Sequence, residues 1–173
     1  YLPASSGRED YLVGKMISLK ALGLYDDKEE IMTNSVGSMS SQASVSLDSL
    51  PKSVSDLYNW LIKDELRCIK AAPIVAYYNS LKESLKEDKR TIKETGTIIY
   101  IIGKESVFYS NSTKEILYKV ECDNIFKEIA ESVGLKVKEI VNIELDKKNA
   151  VARPRSSDKY YETAVIMTRW HNH

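Results

Sequence analysis

The chain has 173 residues, and its 25 basic and 25 acidic side chains leave no net charge at pH 7. That length fits one ordinary domain with a substantial core. A non-specific nucleic-acid binder usually carries a basic excess, so the charge balance favours small or uncharged partners and confines any nucleic-acid contact to a local basic patch.

Cys68 and Cys122 lie far apart without CxxC spacing, which predicts reduced thiols rather than a disulfide framework or a structural zinc site. His171 and His173, in the terminal "WHNH", have no ligand cluster beside them in the sequence, so no metal site is predicted. No apolar run reaches the ~18 residues of a membrane span. The opening "YLPASSGRED" does not have the pattern of a signal peptide. It also lacks an initiator methionine, from which we expect upstream residues to be missing. We expect a cytoplasmic protein with no membrane partner.

The first predicted element is a short amphipathic helix over residues 10–22, with Gly23 as its C-terminal cap. Arg8 stands just before this helix, in "SSGRED". This arginine is a candidate contact to DNA or to a partner, and the alternative is that the segment only caps the helix.

Residues 34–50 are rich in serine and poor in large apolar side chains, which is typical of a loop. The loop is either a plain linker or a substrate-facing segment. We therefore divide the chain into residues 1–54, an N-terminal helix with a Ser-rich loop, and residues 55–173, the carboxyl-terminal α/β region.

The longest helical region lies between Ser53 and Gly96. Ser55 can cap its first helix, and Pro73 is expected to break or kink the region before a second helix that Gly96 closes. The apolar face of the first helix approximates helical spacing and comprises Leu57, Trp60, Leu61, Leu66 and Ile69.

The run "TIIYIIG" from Thr97 to Gly103 is continuously apolar and β-branched, which fits a strand covered on both faces, as in a parallel sheet. An irregular hairpin is expected around residues 111–113. Asp123 or Asn124 then caps a helix, and Gly134 ends it.

Two further strands are predicted in "LKVKEIVNIEL" and "YYETAVIMTRW". The strand at 97–102 and the strand at 136–145 are joined through a helix, so we expect them to be parallel and right-handed. The last two strands have a short, polar link and should pair antiparallel. Gly103 and Lys104 leave the carboxyl end of one parallel strand, and the "KNAVARPRSSD" link leaves the other, so both loops are expected to open on the edge where a ligand would bind.

Three segments carry a family resemblance: "ETGTIIYIIGKES", "NIFKEIAESVGLKVKEIVNIEL" and "ARPRSSDKYYETAVIMTR". Together they resemble the carboxyl-terminal half of S-adenosylmethionine-dependent DNA amino-methyltransferases, most closely the branch that modifies the exocyclic amine of cytosine. The resemblance covers about residues 71–169. It implies a partial Rossmann-like methyltransferase sheet in residues 55–173, an α/β fold of parallel strands with an antiparallel final strand.

Two motifs of that family are absent from the sequence. There is no glycine-rich cofactor turn, and no Asp, Asn or Ser is followed by Pro-Pro-Tyr or Pro-Pro-Phe. In the family that tetrapeptide orients the target amine and stacks on the flipped base. We therefore assign no catalytic residue here, expect S-adenosylmethionine to be bound mainly by residues outside this chain, and expect the chain to act as a fragment or as one half of a split enzyme.

The resemblance also implies which residues face nucleic acid. Guanidinium and hydroxyl groups suit phosphate oxygens. The candidate contacts of the loop are Arg153, Arg155, Ser156 and Ser157. The alternative is that both arginines pair with nearby surface acids such as Asp158 or Glu162.

The resemblance implies methyl transfer from S-adenosylmethionine to an exocyclic base amine, with cytosine N4 of DNA as the expected target, in a restriction-modification system. A second chain or a further segment would carry the catalytic motif. Two alternatives stay open: an RNA (tRNA) methyltransferase of the same fold, and a non-catalytic partner or binding subunit that completes another chain. An isolated half-sheet is expected to self-associate unless a partner covers its edge strand.

Overall fold

A computed structural model describes residues 17, 20–23, 45–144 and 161–170 of the chain. These residues fall into two compact units, divided between Glu83 and Ser84. In chain order the elements are α1 (Lys52–Leu61), a 3₁₀ turn (Cys68–Lys70), α2 (Ala71–Thr91), β1 (Ile98–Gly103), β2 (Glu105–Tyr109), β3 (Ile116–Glu121), α3 (Cys122–Ser132), β4 (Leu135–Glu144) and β5 (Tyr161–Arg169). None of the described helices is long and apolar enough to cross a membrane.

Helix α1 is shorter than its apolar spacing predicts. Val54, Leu57 and Leu61 form its buried face at helical spacing, but Leu66 and Ile69 lie beyond it and are 71% and 66% exposed. The chain leaves the helix because the Asp64 carboxylate accepts hydrogen bonds from the backbone N–H groups of Leu66 and Arg67, at 3.0 and 3.1 Å. Such a local side-chain to backbone turn competes with continued helix.

The predicted helix boundaries are partly wrong. Helix α1 begins at Lys52 with Pro51 as its N-cap residue, so Ser55 lies inside the helix and does not start it. Pro73 is the third residue of α2 and does not break it, because an N–H in the first helical turn has no intrahelical acceptor to lose. The break between the two helices lies before Pro73, at residues 62–67, which precede the 3₁₀ turn.

The segment before α1 is tied to α2 within the first unit. Asn79 donates from its side-chain amide to the Ser46 carbonyl at 2.8 Å, and the Lys82 ammonium donates to the Ser49 carbonyl at 2.6 Å. The end of the predicted serine-rich loop is therefore held on the helix surface by two of its own carbonyl groups.

The second unit is built around a three-stranded sheet with the order β1-β5-β4, which we call sheet A. β5 pairs antiparallel with β1 on one side and with β4 on the other. β1 and β4 therefore run in the same direction without pairing with each other. The antiparallel pairing of the last two strands is confirmed.

The predicted fold class is wrong. Every strand pair of the described residues is antiparallel, both in sheet A and in the β2-β3 hairpin, so the chain does not form a Rossmann-like sheet of paired parallel strands. The physical reason is that β5 returns between β1 and β4 and takes the hydrogen bonds that a parallel β1-β4 pair would have used. The link through α3 sets the direction of the two strands but not their adjacency.

One face of sheet A is covered and the other is open. Thr163, Val165 and Met167 of β5 are fully buried, and Phe126 of α3 lies against Tyr100 of β1 with ring centroids 5.1 Å apart. We call this the inner face. On the opposite, outer face the alternate residues of β1, Ile99 and Ile101, are 58% and 53% exposed. The expectation that both faces of this strand are covered is therefore wrong.

Two cations bind the carboxyl-terminal ends of the helices in this unit. Lys89 donates to the carbonyl of Val133 at 2.9 Å, and the Arg169 guanidinium donates to the carbonyl of Arg90 at 3.0 Å. Carbonyl groups at a helix end have no intrahelical partner and carry partial negative charge, so a cation there is stabilising. These bonds join α2 to the end of α3 and to β5.

The hairpin and the end of the second helix of this unit agree with the sequence. β2 and β3 pair around a turn at residues 111–113, where Ser110 N–H donates to the Glu115 carbonyl at 2.8 Å. Helix α3 begins at Cys122 with Glu121 as its N-cap residue, so Asp123 and Asn124 lie inside the helix and the predicted caps are wrong. Gly134 follows its end with φ of +79°, and its N–H donates to the Glu131 carbonyl at 2.9 Å, which is the glycine-terminated helix end that the sequence predicts.

Replacing Gly134 should destabilise the second unit. The substitution Gly134→Ala places a Cβ in the left-handed region and 2.5 Å from Lys89 Nζ, so we expect the free energy of unfolding to fall by about 1–2 kcal/mol in denaturant titrations. In a Lys89→Ala background the loss should be smaller, because only the backbone strain remains. Equal stability of Gly134→Ala and the parent chain would contradict this account.

Candidate functional site

Only part of the predicted site falls within the structure. Gly103 and Lys104 are described. The predicted nucleic-acid contacts lie outside the described residues, and they stay predictions: Arg8, Arg153, Arg155, Ser156 and Ser157.

β1 and β4 finish at the same end of sheet A. In β5, Glu162 has Gly103 of β1 opposite it on one side and Ile143 of β4 opposite it on the other. β4 ends at Glu144 and β5 begins at Tyr161, and these two residues pair with each other at this same end. β5 separates the two strand ends, and the expectation that both loops open together stays a prediction, because residues 145–160 lie outside the described residues.

Gly103 and Lys104 connect this end of the sheet to α3. Gly103 is the last residue of β1 and is buried. The Lys104 carbonyl accepts the backbone N–H groups of Cys122 at 2.9 Å and Asp123 at 3.3 Å. Two of the first amides of α3 are therefore already used by the protein's own backbone, so the role of this turn is to hold the helix against the sheet.

The start of α3 carries two carboxylates, Glu121 and Asp123, and the nearby Glu105 is paired with a lysine. Lys119 lies beside Glu105, with 2.5 Å between Nζ and Oε2, and this carboxylate raises the pKa of the lysine. Glu121 accepts a hydrogen bond from the Asn124 side chain at 2.7 Å. Carboxylates beside the first turn of a helix suit its positive end, and they disfavour the approach of a phosphate to it.

Cys122 is the thiol nearest this turn, and its environment makes it unreactive. Burial raises the pKa of the Cys122 thiol to about 11, since a thiolate is poorly solvated in an apolar environment. Its sulfur lies 3.8 Å from the Val120 carbonyl as a weak hydrogen-bond donor. A nucleophilic role at neutral pH is therefore not supported by its surroundings.

Thr163 is a buried polar residue that the sequence does not single out. It is fully buried on the inner face of sheet A, where Ile102 and Asn142 are its cross-strand neighbours. Its hydroxyl has no hydrogen-bond partner among the described residues. In the sequence, Thr163 is recognisable only as a hydroxyl residue within a mainly apolar strand. The alternation of buried and exposed positions along that strand does not reveal that the hydroxyl lacks a hydrogen-bond partner.

Metal-ligating residues do not converge in the described part of the chain. No group of three or more histidine, cysteine, aspartate or glutamate side chains is close enough there to hold an ion. The exposed Cys68 and the half-buried Cys122 are both free thiols, as the sequence predicts.

Comparisons with protein-family models, with curated proteins and with solved structures found no match to this chain. The proposals below therefore depend on the sequence and on the geometry of the described residues.

The raised pKa of Cys122 gives a pH dependence of stability. The unfolded chain releases this proton near the ordinary pKa of 9.0, whereas the folded chain retains it to about 11. Stability from this group is present below pH 9 and falls as the pH rises toward 11, by up to about 2–3 kcal/mol. Denaturant titrations of the parent chain and of Cys122→Ala across this range should diverge accordingly.

The exposed cysteine provides the matched control. Cys68→Ala should leave the alkaline slope of the parent chain unchanged. The account is wrong if Cys122→Ala retains the full slope, or if Cys68→Ala removes it.

Thr163→Val should stabilise the second unit. Valine has nearly the shape of threonine and removes a hydroxyl that is buried without a partner, so the free energy of unfolding should rise by about 1 kcal/mol or more. A loss of stability in the same denaturant titration would mean that the Thr163 hydroxyl makes a hydrogen bond in solution.

Proposed function

We propose that this chain supplies the carboxyl-terminal part of an S-adenosylmethionine-dependent DNA amino-methyltransferase of a cytoplasmic restriction-modification system, with cytosine N4 as the target. Segment 145–160 contributes its DNA-facing loop. The proposal combines the resemblance in three segments of the sequence with one geometric observation. Glu144 and Tyr161, the described residues that flank segment 145–160, pair with each other at the end of sheet A where Gly103 lies opposite Glu162.

The charge of the segment supports a contact with phosphate. Residues 145–160 contain five basic residues and two acidic ones, a net charge of +3 in a chain whose total is zero. The described start of α3 carries carboxylates at Glu121 and Asp123, whereas Glu105 is paired with Lys119. Nucleic acid would therefore approach the segment and not the first turn of α3, because like charges at a contact are destabilising.

The part that this chain plays in the reaction is positioning. When bound, S-adenosylmethionine supplies the methyl group that is transferred to the exocyclic nitrogen of the flipped base, which loses one proton. The residues proposed to contact the backbone are Arg153, Arg155, Ser156 and Ser157. Guanidinium and hydroxyl groups donate to phosphate oxygens and set the orientation of the duplex without reading its sequence.

The chemistry itself is assigned to other residues. The sequence has neither the glycine-rich turn nor the Pro-Pro motif of the family, so the cofactor and the target amine would be held by a second chain or a further segment. Co-expression with the polypeptide encoded immediately upstream tests this. Methylation of duplex DNA by the pair, and by neither protein alone, is the expected result, and no methylation by the pair favours a separate binding role.

Charge reversal in the segment should weaken DNA binding. The double variant Arg153→Glu/Arg155→Glu is expected to lower the affinity of the chain for duplex DNA by at least about tenfold in a gel-shift or anisotropy titration. It should also reduce the magnitude of the slope of log K against log salt by about two, because each of the two lost phosphate contacts no longer releases about one counterion.

A matched variant controls for net charge. Lys63→Glu/Lys127→Glu changes the total by the same amount at two exposed lysines outside the segment, and duplex binding should be nearly unaffected. Equal binding by the parent chain and the double arginine variant would remove the phosphate-contact assignment. Stronger competition by structured RNA than by duplex DNA would favour an RNA methyltransferase instead.

A further inference from the structure

The two edges of sheet A are protected very differently. β1 and β4 are its edge strands, and within the described residues no strand pairs with the outer edge of β1. β4 shows a register shift between Val137 and Glu139 and exposes Lys136 and Lys138. Bulges and lysines are the usual devices that keep a free strand edge from pairing with other chains.

β1 has none of these devices. Its residues Ile98–Gly103 contain no charge and no proline, and their register with β5 is regular throughout. A flat, uncharged, apolar edge is a template for another strand. The contrast with β4 indicates that the β1 edge is paired in the functional protein.

The sequence of β1 identifies a fitting occupant. Residues 98–102 read Ile-Ile-Tyr-Ile-Ile, the same in both directions around Tyr100. In an antiparallel pair of identical strands centred on Tyr100, Ile99 therefore lies opposite Ile101 of the other copy, and Ile98 lies opposite Ile102. A two-fold axis places the same patch on both partners, and this segment is complementary to itself under that operation.

We propose that two copies of the chain pair antiparallel through β1, about a two-fold axis at Tyr100, and join their three-stranded sheets into one continuous six-stranded sheet. The pairing continues the antiparallel pattern that every described strand pair of this protein follows. It uses only the β1 edge of each copy and leaves the protected β4 edges outward, so the assembly closes at two.

The side chains of β1 suit this arrangement on both faces. Cross-strand partners share a face, so Ile99 and Ile101 of one copy meet Ile101 and Ile99 of the other on the outer face, where they are more than half exposed in one chain. On the inner face Tyr100 is fixed by a hydrogen bond of 2.7 Å to Asp88 and by its contact with Phe126. The strand is therefore held in place before the second copy arrives, which lowers the ordering cost of association.

Lysine substitutions on the edge test the proposal. Sedimentation equilibrium of the full chain should show a monomer-dimer equilibrium. Ile99→Lys and Ile101→Lys should each raise its dissociation constant by about tenfold or more. Each substitution replaces an apolar cross-strand pair by a charge, and the two-fold symmetry repeats this change at a second place in the interface. Val141→Lys is the matched control, because it adds a lysine to the outer face of β4 and should leave dimerisation unchanged.

Disulfide trapping tests the register without depending on the stability of the lysine variants. In a Cys68→Ser/Cys122→Ser background, a mixture of Ile99→Cys chains and Ile101→Cys chains should cross-link between the two kinds of chain. Opposite residues in an antiparallel pair have Cα atoms about 4.5–5.5 Å apart, within the disulfide range. Chains with Ile99→Cys alone should cross-link several-fold less, because identical positions are offset by two residues.

Several results would overturn the proposal. A parent chain that stays monomeric at every accessible concentration excludes it. So does a dimer that is weakened by Val141→Lys and not by Ile99→Lys, since that dimer would use the β4 side. Open-ended oligomers that the β1 lysines do not dissolve, or cross-linking of Ile99→Cys with itself in preference to Ile101→Cys, contradict the two-fold register. These outcomes do not depend on DNA binding, so they are separable from the test of segment 145–160.

Discussion

The antiparallel insertion of β5 between β1 and β4 is the constraint on which the second unit depends. A central strand satisfies its backbone groups on both sides, and in β5 the residues Thr163, Val165 and Met167 are also fully buried on one face. Burying a strand without pairing its amides and carbonyls would be costly. The hydrogen bonds of β5 to its two neighbours therefore permit the core that α3 and the end of α2 complete.

The same insertion explains how the candidate site is assembled. Because β1 and β4 are both antiparallel to β5, their carboxyl ends lie together, and Glu162 has Gly103 on one side and Ile143 on the other. A site at this end does not require paired parallel strands. The two faces of the sheet also differ. Both helical segments of the unit contact the inner face, at Tyr100, and Ile99 and Ile101 stay exposed on the outer face.

Electrostatics divides the roles between the two ends of sheet A, and Lys89 and Arg169 lie at the end opposite to Gly103. Lys89 and Arg169 bind carbonyl groups at helix ends, so these cations are structural. The Lys104 carbonyl accepts the first amides of α3, and Glu121 and Asp123 add negative charge at the start of that helix. Segment 145–160 has a net charge of +3, which is why the proposed nucleic-acid contact rests on that segment rather than on the helix.

The sequence by itself determined the local elements of the second unit. Gly134 ends α3, the turn at residues 111–113 joins a hairpin, and β4 and β5 occupy their predicted ranges with the predicted antiparallel pairing. These features depend on near neighbours in the chain: a glycine that accepts positive φ, a turn between two apolar runs, a polar link too short for a crossover helix. The extent of α1 was less predictable, because one carboxylate at Asp64 competes with helical spacing.

Only the tertiary structure decided the order of the strands and which surfaces stay open. An uninterrupted apolar run such as Ile98–Gly103 is compatible with a strand covered on both faces and with an edge strand, and pairing partners far apart in sequence leave no local signal. The burial of the Thr163 hydroxyl without a partner, the unprotected edge of β1 and the pairing of Gly103 with Glu162 all follow from the placement of β5. That placement depends on hydrogen bonds between segments about 60 residues apart, whose cost in chain entropy only the assembled core offsets.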